Sequence, residues 1–224
     1  MKPSIQFGLL LLGLVICSCA SFRSPVSGLY NQQPEINKEA EKVSVLFVFR
    51  HYKQSVGYDV VPKLSTPYLN GFGQIFNGAL DEFSNIEKFE TWSLTANSIN
   101  DSRENAELND LKSQYDYVID MKFSKENSFV SFSIGTLIEI GGLTLIPYRF
   151  RDKYKAEFSV SDNAGNLLAT YNREAHLDTW VQAFLLVVYP FHNDQENGEE
   201  LYLECMHDIF RQIESEGVLA KKAR

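Results

Sequence analysis

The chain has 224 residues, a formal net charge of −8 at pH 7 and a hydrophobic content of 44%. This length suits one domain with a hydrophobic core of its own. The excess of acidic side chains argues against nucleic acid as a partner, because binding to phosphates rewards clusters of Lys and Arg. It also argues against electrostatic docking to anionic lipid headgroups, so that acyl chains would have to supply most of any membrane binding.

An apolar run at residues 7–16, FGLLLLGLVI, follows Lys2. This pattern is typical of a secretory signal peptide, and the run is too short to span a bilayer comfortably. The run leads into Ile16-Cys17-Ser18-Cys19, an order that resembles the lipobox of bacterial lipoproteins. The resemblance implies cleavage after residue 18 and lipidation of Cys19 with three acyl chains, palmitate among them, which anchor the protein permanently. An ordinary cleaved signal peptide or a buried N-terminal helix is the alternative.

The domain boundaries follow from this assignment. We predict a signal peptide at 1–18, a lipidated N-terminus and flexible tether at 19–42, a single α+β domain at 43–217 and a basic tail at 218–224. The tether is predicted from its Ser, Pro, Gly and polar residues, with few apolar side chains to bury. Cys205 is then the one free thiol of the mature chain, and we predict that it is a small buried hydrophobe of a helix.

Hydrophobic patterns predict the elements of the domain in chain order. The run VSVLFVF at 43–49 indicates a central strand, and alternation over 115–123 indicates a strand with one wet face. The other predicted elements are a helix from Thr66-Pro67 to about 85, a strand at 88–95, a short helix at 103–112, a hairpin over 154–174 and a helix at 196–216. Together they predict an α+β fold, a mixed sheet of about five strands covered by two or more helices.

Two apolar segments, 129–147 and 181–189, stand out within the domain. Glu139 interrupts the first, and a carboxylate at that place is costly in a bilayer. We predict that both segments are buried in the core. A patch that faces a membrane or a partner protein is the alternative.

The sequence contains no recognisable catalytic, cofactor-binding or metal-binding motif. Gly71-Phe72-Gly73 lacks the third glycine of a dinucleotide loop, and the four histidines never form a helical metal pair. Asp116 and Asp120 share a strand face and could act as acid and base or hold a cation. We predict instead that they keep the exposed face of the strand soluble.

A second resemblance covers about residues 115–192. The order Leu-Thr-Leu-Ile-Pro at 143–147, the hairpin with its Asp/Gly turn and the apolar segment led by Trp180 are similar to uncharacterised lipoproteins of Gram-negative bacteria. This resemblance implies an envelope location and no known activity. The residue after the lipobox cysteine is Ala20 rather than aspartate. In this respect the sequence resembles lipoproteins that are released to the outer membrane.

We therefore expect a lipid-anchored envelope protein, a non-catalytic binding or assembly component of the outer membrane or periplasm. Its expected partners are the membrane, through the acyl chains, and another envelope protein. The alternatives are a membrane-anchored hydrolase and a carrier of lipid or another apolar ligand. The hydrolase would need a pocket with a histidine held by an orienting hydrogen bond. The carrier would need a cavity between the two apolar segments.

Overall fold

A computed structural model describes residues 19–32, 40–54, 63–64, 72–95, 101–127, 148–181 and 194–220. The predictions for the signal peptide at 1–18, for 129–147 with Glu139, for 182–189, for Thr66-Pro67 and for the last four residues lie outside the described residues.

Seven strands form one sheet in the described chain. The strands are β1 (Cys19–Arg23), β2 (Val43–Lys53), β3 (Lys63–Leu64), β4 (Ile86–Leu94), β5 (Tyr117–Asn127), β6 (Tyr148–Asp162) and β7 (Leu167–Val181). The helices are α1 (Phe72–Leu80), α2 (Ser102–Ser113) and α3 (Asp194–Ser215). The strand order is β1-β7-β6-β5-β2-β3, and β4 pairs with β2. β2 is parallel to β4 and β5, and the remaining pairs are antiparallel.

The hairpin of β6 and β7 is the longest pairing and has a defined turn. The Asp162 carboxylate accepts hydrogen bonds from the backbone N–H groups of Ala164 and Asn166, at 3.0 and 2.8 Å. Gly165 has a φ of 83°, which a residue without Cβ adopts at little cost. The predicted hairpin, the strand at β5 and the C-terminal helix are confirmed by these elements. The face of β5 that was predicted to be wet is partly covered, because Val118 is buried in a second hydrophobic cluster.

Both faces of β2 are buried, as the apolar run predicts. Phe47 contacts Phe76 of α1 and Phe210 of α3, with ring centroids 5.0 and 5.7 Å apart. On the opposite face, Leu46 and Val48 lie in a smaller cluster with Leu94, Leu108, Tyr115 and Val118. The prediction for Cys205 is confirmed, because its side chain belongs to the larger core cluster.

The predicted fold class is wrong. We expected an α+β fold with about five strands under two or more helices, whereas the sheet has seven strands and the strands hold more residues than the helices. The outward face of β6 and β7 carries exposed or half-exposed charged side chains, such as Arg149, Arg151 and Glu174. β1 was missed because its sequence, CASFR, lacks the apolar alternation that identifies a strand, and β3 because it has two residues.

No helix within the described ranges is long and apolar enough to cross a membrane.

Candidate functional site

The predicted lipidation residue, Cys19, begins strand β1. In the backbone register Cys19 lies opposite Val181, the last residue of β7, and Val181 lies opposite Tyr148, the first residue of β6. Cys19, Val181 and Tyr148 therefore lie side by side in the sheet, at the limit of the residues that the structure describes, and we call this part of the sheet the Cys19 end. The two apolar segments of the sequence analysis adjoin this end in the chain, one before Tyr148 and the other from Val181 onward.

The segment after Cys19 differs from the predicted tether, because residues 19–32 are held against the fold. Ser21 and Thr179 share a hydrogen bond of 2.9 Å between their hydroxyl groups, and Ser27 N–H donates to the carbonyl of Glu174 at 2.7 Å. Val26 is buried in the main core cluster. If Cys19 carries acyl chains, the body begins at the membrane rather than some distance from it.

A buried ion pair fixes the far part of this segment. Arg173 Nε donates to Asp208 Oδ2 at 2.7 Å, and both residues are 4% exposed. The same carboxylate accepts hydrogen bonds from the backbone N–H groups of Tyr30, at 2.9 Å, and Asn31, at 3.2 Å. Arg173 also donates to Gln212 Oε1 at 2.6 Å. One carboxylate of α3 thereby joins the N-terminal segment to strand β7.

A patch of aromatic and arginine side chains lies on one face of the sheet at the Cys19 end. We call it the Trp180 patch, and it consists of Phe22, Arg149, Arg151, Asp178 and Trp180. Strand alternation places all five on the face opposite to the main core, because their neighbours Leu177 and Tyr154 belong to that core. Phe22 is 40% exposed.

The charges of the Trp180 patch are organised around Asp178. Arg151 donates two hydrogen bonds to the Asp178 carboxylate, at 2.7 and 2.8 Å, and these bonds hold the pKa of Asp178 below its usual value. Arg149 Nη1 lies farther from the same carboxylate, at 3.7 Å, and its guanidinium carbon is 5.9 Å from the centre of the Trp180 ring. The Arg149 guanidinium therefore lies over the Trp180 ring, beside the Asp178 carboxylate, which is hydrogen-bonded to Arg151.

The structure does not bring Asp116 and Asp120 together in a site. Asp116 Oδ2 accepts hydrogen bonds from Ser44, one from the backbone N–H and one from the hydroxyl, both at 2.8 Å. Asp120 Oδ2 lies 2.5 Å from Arg50 Nη2. Burial raises the pKa of Asp120, although Arg50 works in the opposite direction. The two carboxylates therefore serve separate contacts, and the acid–base reading of the pair gains no support.

The described histidines lie in three separate places. His51 Nε2 is 3.5 Å from the hydroxyl of Tyr202, His176 Nε2 is 3.8 Å from Asp178 Oδ2, and His207 Nδ1 is 2.8 Å from Glu82 Oε1. His192 lies outside the described residues.

His207 lines a cavity of about 300 Å³ between α3, Glu82 after α1, and Leu29 and Asn31 of the N-terminal segment. Burial opposes ionisation of Glu82, but hydrogen bonds from Arg211 and His207 outweigh it, so the pKa of Glu82 is below its usual value. This His–carboxylate pair is the part of the structure nearest to the hydrolase alternative. The carboxylate is shared with Arg211, however, and the arrangement resembles an ion-pair network between elements.

Among the residues that the structure describes, no group of three or more His, Cys, Asp or Glu side chains is placed to hold a metal ion. Burial raises the pKa of the Cys205 thiol to about 12, so this thiol is a poor nucleophile at neutral pH.

Sequence reasoning missed both Arg173 and the Trp180 patch. Arg173 lies in a strand that the sequence analysis recognised only as the second strand of the hairpin. The one local signal of a buried ion pair was an arginine at a position that faces the core. The patch depends on the register between β1, β6 and β7, which brings together residues about 130 to 160 positions apart in sequence. No local pattern contains that register.

Comparison with known proteins places most of this sheet in a family. Residues 61–179, more than half of the chain, match the family model described as bacterial Ig-like domain. This match is to a family of β domains, in agreement with the correction of the predicted α+β class. No curated protein matches the chain.

The chain is also similar to solved structures of PelC dodecamers from Paraburkholderia phytofirmans. One, a variant, has 8% identity and a TM-score of 0.31, with 88% of this chain and 99% of that chain covered. Another has 8% identity and a TM-score of 0.24, with 81% of this chain and 97% of that chain covered. TM-scores of this size do not define a shared fold.

Proposed function

The chain belongs to the bacterial Ig-like domain family, and from this premise we propose that it is a non-catalytic binding module held in the cell envelope by lipid on Cys19. Membership in this family is consistent with a surface or binding role and with an envelope or extracellular location. The lipid anchor, the outer membrane and an envelope protein as partner are the further parts of the proposal.

The observation that supports the anchor is the place of the lipobox cysteine in the described sheet. Cys19 pairs with Val181 of β7, and Ile16-Cys17-Ser18 precede it in the sequence. A chain cleaved after residue 18 would keep every described residue of β1. Cys205, the other cysteine that the structure describes, is buried in the core and is therefore not accessible to acylation.

Acyl labelling of paired cysteine variants tests the anchor. We expect Cys19→Ala to lose radiolabelled palmitate and to leave the membrane fraction or remain unprocessed, because the acceptor sulfur is gone. Cys17→Ala is the matched control, since it removes a sulfur two residues away and should keep both the label and the membrane location. Label that persists in the Cys19→Ala protein would refute the anchor.

Sucrose-gradient separation of inner and outer membranes tests the location. Ala20 is the residue on which the outer-membrane proposal rests, and Ala20→Asp is expected to shift the acylated protein toward the inner membrane. Absence of both the wild-type and the Ala20→Asp protein from the outer-membrane fraction would contradict the proposed location. It would not contradict acylation of Cys19.

The partner is proposed to be another envelope protein. A protein crosslinked to the wild-type chain in intact cells should be lost or reduced with Cys19→Ala, because release from the membrane removes the shared location. Equal crosslinking of the wild-type and Cys19→Ala chains would show that partner binding does not depend on the anchor.

A further inference from the structure

The Cys19 end of the sheet carries a surface suited to lipid headgroups. Ala20, Trp180 and Arg149 are direct neighbours across three strands, and Cys19 is one residue before Ala20. Neighbouring strands lie about 4.8 Å apart, so the row of Ala20, Trp180 and Arg149 spans roughly 10 Å. Any acyl chain on Cys19 would therefore enter the bilayer within about 10 Å of the backbone of Trp180 and Arg149.

We propose that the Trp180 patch lies in the headgroup layer of the membrane that holds the acyl chains, with Arg149 bound to lipid phosphate. This inference rests on the proposed lipidation of Cys19. It adds a protein surface that sets the orientation of the body on the membrane.

Charge supports this placement even though the chain as a whole is acidic. Asp178 is the acidic member of the patch, and both of its oxygens accept hydrogen bonds from Arg151. Arg149, whose side chain is 46% exposed, lies beyond hydrogen-bond distance from Asp178 and adds a positive charge beside that pair. Phosphate is the complementary anion for a guanidinium.

The aromatic members fit the same layer. Trp and Tyr side chains are enriched where a protein crosses the interface between lipid and water, and arginine extends its charged head toward that interface. Trp180 is half-buried beneath the Arg149 guanidinium, and Phe22, on the same face, is 40% exposed. A ring with a cation above it can contact acyl chains and phosphate at the same time.

The two tryptophans of the chain provide an internal control for depth. Trp92 of β4 is level with Ser159 of β6 in the sheet. Trp92 pairs with Val48, Val48 pairs with Asp120, and Asp120 pairs with Ser159. Ser159 is ten residues from Arg149 along β6, or about 33 Å. Trp92 should therefore remain outside the bilayer when Trp180 is at its surface.

Quenching by brominated lipids tests the proposal on the acylated full chain. The protein is reconstituted in vesicles of phosphatidylethanolamine and phosphatidylglycerol with bromine on the acyl chains near the headgroup. With Trp92→Phe, fluorescence comes from Trp180, and we expect the brominated vesicles to remove most of it. With Trp180→Phe, it comes from Trp92 and should not change. Among the described residues Trp92 Nε1 has no hydrogen-bond partner, so Trp92→Phe loses no bond there.

Charge reversal tests the role of Arg149. In the Trp92→Phe background, Arg149→Glu should reduce the quenching of Trp180, because glutamate repels phosphate and removes the cation above the ring. Arg103→Glu, an equal charge change on α2, is the matched control and should leave the quenching unchanged. Arg149→Gln should give an intermediate loss, and circular dichroism checks that each variant is folded.

Acyl label on Cys19 is measured on every sample, so that the two proposals fail separately. Unquenched Trp180 on a protein that carries the label would overturn the headgroup placement and leave the anchor intact. Equal quenching of Trp180 and Trp92 would also overturn it. Absence of label from Cys19 would overturn the anchor itself.

Discussion

At the scale of single residues, two ionic contacts of α3 differ in what they contribute. Arg173–Asp208 is buried, and Asp208 also accepts two backbone N–H groups from the N-terminal segment. Arg23 pairs with Glu200 at 3.1 Å on the surface, with side chains 44% and 56% exposed. Removal of one partner of a buried pair leaves an uncompensated charge, whereas exposed pairs are screened by water.

Asp208→Ala should therefore lower the free energy of unfolding by about 3–5 kcal/mol, because Arg173 stays buried without its carboxylate. Arg23→Ala, the matched control, should cost less than about 1 kcal/mol. Urea unfolding followed by circular dichroism measures both. Similar losses for the two variants would show that Asp208 does not hold the segment.

His51 gives the fold a defined pH dependence. Burial, with smaller contributions from Lys53 and Lys125, lowers the pKa of His51 from 6.5 to about 4. Between these values the unfolded chain binds a proton that the folded chain does not, so stability falls as the pH falls from 6.5 toward 4. The loss from this residue is at most about 3 kcal/mol.

His51→Gln should flatten the change of the urea midpoint between pH 7 and pH 4.5, because it removes the group that binds the extra proton. Thr170→Ala, at an exposed position of β7, is the control for substitution as such and should keep the wild-type slope, because it removes no titratable group. An unchanged slope with His51→Gln would mean that carboxylates alone set the pH dependence.

At the scale of elements, the sequence predicted best where a strand or helix buries one regular face. Strand β5 was found because Tyr117, Ile119 and Met121 recur at every second position, and α3 because Leu201, Cys205 and Ile209 recur at helical spacing. β1 could not be found this way. Its pairing depends on backbone hydrogen bonds to β7, 158 residues away between Ser21 and Thr179.

Hydrogen exchange distinguishes strand β1 from the predicted tether. Ser24 N–H donates to the carbonyl of His176, so the antiparallel pattern places the N–H of Phe22 on β7 as well. The amides of Phe22 and Ser24 should exchange slowly, while those of Ser21 and Arg23, which point away from β7 and have no strand beside them among the described residues, should exchange faster. Fast exchange at all four positions would indicate a tether.

At the scale of the whole molecule, the class prediction failed because it counted strands by apolar pattern. Edge strands and short strands contribute pairing without a hydrophobic signature, so the sheet was taken to be smaller and the helices to be its covering layer. The sequence identifies each residue of the Cys19 end but not that these residues lie together. Their assembly into one surface required the order β1-β7-β6, which is a property of the fold.

Because the N-terminal segment belongs to this assembly, the folding unit should include residues 19–32 rather than begin at residue 43. A chain that begins at Glu41 loses β1, the burial of Val26 and the two N–H groups bound by Asp208. Burial of a valine contributes about 1.5–3 kcal/mol, and each lost hydrogen bond about 1 kcal/mol.

Thermal unfolding of a chain that begins at Ala20 should therefore occur roughly 10 °C or more above that of a chain that begins at Glu41, since about 1 kcal/mol shifts the Tm of a domain of this size by 2–4 °C. Both chains lack the lipidation cysteine, so acyl chains do not affect the comparison. Val26→Ala in the longer chain should account for part of the difference. Equal Tm values for the two chains would mean that residues 20–40 add nothing to the fold and act as the tether that the sequence predicted.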